Sequence, residues 1–72
     1  MYLKLRQERL KHHWTQEYVA ECVGTTKQAI QLLETAKSKP SYDVLVKLEN
    51  LFKLNHRQLF AVVDDTHNLS KK

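Results

Sequence analysis

The 72-residue sequence predicts an all-α fold, a compact domain of five short helices. Three observations carry that expectation. One Gly and one Pro leave little of the turn chemistry that hairpins and sandwiches need. Leu, Ile, Val and Phe together supply 20 residues, enough for one modest core and too many for a disordered chain. Apolar residues recur at helical spacing, and most of the runs open on a residue that caps helices. A chain of this size buries only about 60–65% of its unfolded surface, which argues against a two-lobed enzyme with a deep cleft.

Each element follows from local chemistry. Leu3 and Leu10, seven apart, and Leu5 and Arg9, four apart, predict a first helix over residues 2–12. His13 and Trp14 make its exit. Thr15 can cap a second helix, residues 16–22, with Val19, Ala20 and Val23 inward and Gly24 at its end. Thr26 can cap a third, residues 27–34, whose inward face is Ile30 and Leu33. After the Lys37-Ser38-Lys39-Pro40 loop, Ser41 caps a fourth helix with Asp43 set favourably against its dipole. Val44, Leu45, Leu48, Leu51 and Phe52 form its stripe. Asn55 and Gln58 have the spacing of a capping box, and open a fifth helix on which Leu59 and Phe60 close the core. No sheet is expected. Residues 1–63 are expected to form the domain, and residues 64–72 a polar C-terminal tail.

Composition narrows the function classes. A single cysteine, Cys22, cannot form an internal disulfide or a Cys-based zinc site. No apolar run approaches the roughly 20 residues of a membrane span, and the N-terminus does not read as a signal peptide. The expectation is a chain complete from Met1 in a reducing bacterial cytoplasm. Net charge is +4, with residues 1–14 and 24–40 basic and residues 15–23 acidic between them. That sign permits a polyanionic partner without proving one.

The turn Val23-Gly24-Thr25-Thr26 is so short that the second and third helices must cross steeply, as in a helix-turn-helix. Thr15-Gln16-Glu17, Val19-Ala20, Gly24, Thr26, Ile30, Leu33-Glu34, Pro40-Ser41, Leu45, Lys47-Leu48, Leu54 and Leu59-Phe60 stand at the spacings of one family. Over residues 2–61 the sequence resembles the phage repressor and Cro type of helix-turn-helix domain. The stretch from Gly24 to Ile30 is especially similar to its lambdoid members.

The resemblance implies a repressor-like fold in which the third helix enters the DNA major groove. Thr26, Lys27, Gln28, Gln31 and Leu32 match the positions that meet bases or a partner. Gln16, Lys37 and Lys39 match phosphate-contacting positions. Arg9 and Glu34 match a structural ion pair between the first and third helices. The chain also departs from the pattern. Glycine is frequent in the family where this sequence has His13, Ala36 and Lys53, and Leu32 stands where a DNA reader is usually polar. Leucine there can touch a thymine methyl or anchor a protein partner.

The remaining residues read as ordinary structure. Cys22 is expected as a small buried packing residue, Trp14 as core, and Tyr2, Tyr18 and Tyr42 as edges of the core. His12, His13, His56 and His67 lack metal-ligand spacing, Asp64-Asp65 reads as a solvated pair, and no nucleophile–base set is visible. The sequence therefore predicts no enzyme, no metal, no cofactor, no small-molecule substrate and no membrane contact. Two functions stay open. One is a regulator binding double-stranded operator DNA in a temperate-phage-type switch, with a homodimer and a cognate repressor as partners. The short chain, with no second domain in view, fits a Cro-like protein or a restriction–modification controller better than a full lysogenic repressor. The other is an antirepressor that disarms its repressor by binding that protein's DNA-reading domain, as the small modulators of repression in temperate phages do.

Overall fold

Helix capping sets most of the architecture. The computed structural model describes residues 2–63, and the tail expected over residues 64–72, with Asp64, Asp65 and His67, lies outside them. In order the elements are β1 Tyr2–Leu3, α1 Lys4–Lys11, α2 Gln16–Val23, α3 Lys27–Glu34, α4 Tyr42–Phe52, α5 His56–Leu59 and β2 Val62–Val63. Thr15 Oγ1 accepts from the Tyr18 N–H at 3.0 Å, Thr26 Oγ1 from Ala29 at 3.1 Å and Ser41 Oγ from Val44 at 3.3 Å. Asn55 and Gln58 form the reciprocal capping box, at 2.9 and 3.1 Å. These bonds satisfy amides that a helix start leaves without intrahelical partners.

The fold is all-α, with one departure from the sequence reading. Residues 2 and 3 do not begin α1. They pair antiparallel with Val62–Val63, Tyr2 opposite Val63 and Leu3 opposite Val62. The cause is visible at the start of α1. Leu3 offers no side-chain cap, and the Lys4 N–H instead donates to the Ala61 carbonyl at 2.8 Å. A backbone acceptor from the far end of the chain thus does what a Ser or Thr does for α2, α3 and α4. Because Leu3 is extended, the seven-residue spacing to Leu10 no longer defines one face. Leu10 is 45% exposed, and α1 buries Leu5, Glu8 and Arg9.

The core is Leu3, Leu5, Val19, Ala20, Val23, Ile30, Leu33, Leu48, Phe52 and Leu59, with Trp14, Val44, Leu51, Leu54 and Phe60 packed half-buried against it. Trp14 seals the α1–α2 connection. The His12 ring stacks on it at 4.2 Å, and Tyr18 and Phe52 lie tilted beside it at 5.3 and 5.5 Å. Two other expectations are corrected. Cys22 is exposed, because it lies on the outer face of α2, beside rather than among Val19, Ala20 and Val23. Its thiol raises the neighbouring Tyr18 phenol pKa above the ordinary value, chiefly through hydrogen bonding. Tyr42 is not an edge of the core but stands 78% exposed at the start of α4.

His13, Ala36 and Lys53 have φ of 61°, 62° and 59°, the left-handed region that Gly24 occupies at 74°. A Cβ there costs roughly 1–2 kcal/mol, so three connections carry strain that glycine would relieve. We predict that Ala36→Gly raises the unfolding free energy by about 0.5 kcal/mol, since the relieved strain exceeds the added chain entropy of about 0.4–1 kcal/mol. Gly24→Ala should lower it by about 0.5 kcal/mol, by the same balance in reverse. Urea denaturation of both variants checks this, and a destabilised Ala36→Gly would mean that the turn is not strained.

Candidate nucleic-acid interface

The segment from Thr15 to Glu34 is built as two capped helices with a left-handed break between them. Gly24 ends α2, and its N–H bonds back to Glu21 while the Thr25 N–H reaches the Ala20 carbonyl. Thr26 then opens α3 in extended backbone. Val19, Ala20 and Val23 of α2 meet Ile30 and Leu33 of α3 in the core, which fixes the pair as one rigid unit.

A buried polar network ties this unit to α1. Arg9 Nε donates to Glu34 Oε2 at 2.6 Å, and Arg9 Nη2 to Glu34 Oε1 at 3.2 Å. The Arg9 Nη1 group donates to the Trp14 carbonyl at 2.9 Å. Gln16 Nε2 donates to Glu34 Oε1 at 3.1 Å. Glu34 is 1% exposed, so its carboxylate is desolvated and has two side-chain partners from α1 and α2. Among the described residues, no buried side-chain polar atom lacks a partner. A network satisfied to this degree holds its members in one geometry.

Lys27, Gln28, Gln31 and Leu32 are exposed on α3, opposite the buried Ile30, Leu33 and Glu34. Leu32 is 43% exposed. Thr26 is also exposed, but its oxygen already accepts from Ala29, which leaves its O–H as the free function. Gln16 is half-buried, with one amide N–H spent on Glu34. Lys37 and Lys39 are exposed in the α3–α4 loop, on the far side of the strained Ala36. The acceptors and donors of Gln28 and Gln31, and the ammonium groups of the three lysines, are therefore open to solvent. Amides with both a donor and an acceptor suit base edges, and ammonium groups suit phosphates.

An open groove of about 730 Å³ runs beside this face, lined among others by Gln16, Lys27 and Gln31. It is also lined by Tyr2 and Arg6, neither of which the sequence marked as functional. Their four-residue spacing was visible, but its meaning depends on where β1 puts Tyr2. Among the described residues no group of acidic, histidine or cysteine side chains could hold a metal, and no helix is long and apolar enough to cross a membrane.

The model of a helix-turn-helix family matches residues 5–59. The chain is 32% identical over 65 residues to an uncharacterised HTH-type transcriptional regulator of Archaeoglobus fulgidus, covering 90% of this chain and 93% of that one. It is 32% identical over 62 residues to an uncharacterised HTH-type transcriptional regulator of Methanocaldococcus jannaschii, covering 86% and 94%. No solved structure matches at comparable stringency.

The network also makes a stability prediction. Glu34→Ala leaves the Arg9 guanidinium without its charged partner and should lower the unfolding free energy by about 3–5 kcal/mol. Replacing both partners, as Arg9→Met with Glu34→Leu, should recover most of that loss, because no buried charge is then left unpaired. Thermal and urea melts of the three proteins measure both effects. A single-variant cost below about 1 kcal/mol would show that the pair does not hold the helices together.

Proposed function

The chain belongs to the helix-turn-helix family, and from that premise we propose that it is a small transcription regulator that binds double-stranded operator DNA. The observation that carries this reading is the outer face of α3. Lys27, Gln28 and Gln31 are exposed there, on a helix whose opposite face is locked by the core and by Glu34. In the proposed mode α3 enters the major groove, and Gln28 and Gln31 read base edges. Thr26 adds its hydroxyl and Lys27 its charge at the helix start. Gln16, Lys37 and Lys39 contact phosphates on either side. Two copies on a palindromic site would place one α3 in each half-site. The finer proposal is a role in a temperate-phage-type switch alongside a partner repressor. Its support is the likeness of the Gly24 to Ile30 stretch to the lambdoid domains.

One observation favours a second reading. Leu32 is 43% exposed in the middle of the same face, where a leucine gains little from DNA beyond a thymine methyl. Seated in a protein pocket it would contribute roughly 1.5–3 kcal/mol. In that reading the chain is an antirepressor, similar to the modulator of repression of a lactococcal temperate phage, and α3 covers the repressor's own DNA-reading domain.

Two experiments test these readings. Gln28→Ala should cost about 1–3 kcal/mol of operator affinity and relax preference at one base pair, whereas Lys37→Ala should weaken all duplexes alike. Equal, sequence-independent losses would show that Gln28 does not read bases. Leu32→Ala and Leu32→Glu should leave the domain folded. If α3 docks on a repressor, both should weaken that complex, Glu far more than Ala. Titration against the N-terminal domain of the repressor, beside an operator gel shift, decides between the readings. Lost operator binding with unchanged repressor affinity removes the antirepressor.

A further inference from the structure

The ladder at the chain ends places an aromatic ring under a cation. Tyr2 is fixed in β1 by its pairing with Val63, and the Arg6 guanidinium carbon lies 4.1 Å from the centre of the Tyr2 ring. Arg6 is half-buried, and no carboxylate lies within ion-pair distance of it among the described residues. A guanidinium resting on a ring keeps its N–H edges free while losing much of its rotamer freedom. Arg6 and Tyr2 line the same groove as Gln16, Lys27 and Gln31.

The charges of that groove favour an anion. Arg9 and Glu34 cancel each other in the buried pair. Of the other charged side chains that line it, Arg6 and Lys27 are cationic and Glu17 is anionic, a net positive balance. A planar fork held in the groove that Lys27 and Gln31 of α3 also line has the geometry for bidentate contact with a phosphate.

We propose that this groove is part of the DNA track, and that Arg6, positioned by Tyr2, contacts a backbone phosphate beyond those met by Gln16 and the α3–α4 loop. The proposal rests on the DNA-binding reading above. It makes Arg6 a binding residue and Tyr2 a positioning residue, and it gives the strand pair a part in recognition as well as in folding.

The test uses the full chain and a fluorescent duplex of about 25 base pairs of random sequence, with affinity followed by anisotropy between about 50 and 200 mM KCl. Each phosphate contact contributes about 0.9 to the slope of log affinity against log salt. Arg6→Ala should lower the magnitude of the slope by about 0.9, so that across this salt range its affinity falls about 3–4-fold less than that of the wild type. Tyr2→Leu should lower it in the same direction, and Tyr2→Phe, which keeps the ring, should leave it unchanged. Thermal melts confirm folding, and Arg6→Gln replaces Arg6→Ala if the latter melts early. An unchanged slope in the Arg6 variants, with Lys37→Ala lowering it, overturns this proposal and leaves DNA binding intact. An unchanged slope in Tyr2→Leu, with a lowered one in Arg6→Ala, removes the role of Tyr2. If the wild type binds no duplex at any salt concentration, the DNA-binding reading itself fails and this proposal falls with it.

Discussion

The fold turns on one desolvated carboxylate. Glu34 sits at the end of α3, 1% exposed, and is held by Arg9 from α1 and Gln16 from α2. Arg9 also reaches the Trp14 carbonyl, so the same guanidinium fixes the connection between α1 and α2. Three helices thus meet at one point with matched donors and acceptors. Hydrophobic contact between Val19, Val23, Ile30 and Leu33 supplies most of the cohesion, but it is non-directional. The ionic network is directional, and it sets the rotation of α3 about its own axis. That rotation decides which side chains face outward. If α3 turned by about 100° so that Gln31 took the place of Ile30, Leu33 would leave the core and the exposed stripe would lose Lys27 and Gln31.

Such a network carries a cost that the chain offsets by satisfying every member. An unpaired buried charge is strongly destabilising, whereas a paired one is close to neutral against an apolar replacement. The pair is therefore better understood as fixing geometry than as adding stability. The same holds for the strained positions. His13 and Lys53 stand in left-handed backbone where glycine would cost less, yet each is followed by residues that pack on the core, Trp14 after the first and Leu54 after the second.

Much of this was legible in the sequence, and the parts that were not share a physical cause. Caps at Thr15, Thr26, Ser41 and Asn55 depend on residues three positions apart, so local sequence reveals them. The exposed setting of Leu32 was legible too, because Ile30 and Leu33 define the inward side. The strand pair was not. Tyr2 meets Val63 across nearly the whole chain, and two-residue strands leave no periodicity to detect. Once Leu3 is extended, the seven-residue spacing to Leu10 no longer marks one face, and α1 buries Leu5, Glu8 and Arg9 instead. Cys22 differs for another reason: residue type alone makes a lone cysteine look like packing, while helical phase puts it outside. Arg6 gained its significance only when the ladder had positioned Tyr2.

The pairing of Tyr2–Leu3 with Val62–Val63 also bears on the order in which the chain assembles. Contacts within and between neighbouring helices close short loops, whereas this ladder joins residues about 60 positions apart. Closing a loop of that length costs roughly 3.6 kcal/mol of chain entropy beyond a constant. Two short strands return little of it until the helices between them have already shortened the path. The ladder is thus a late event in folding and an early one in unfolding. Its opening would free the Lys4 amide from Ala61 and uncover Leu3 while α2, α3 and their polar clasp remain intact. Among the described residues amide exchange should accordingly begin at this ladder, with the segment between Val19 and Leu33 the last to yield its protons.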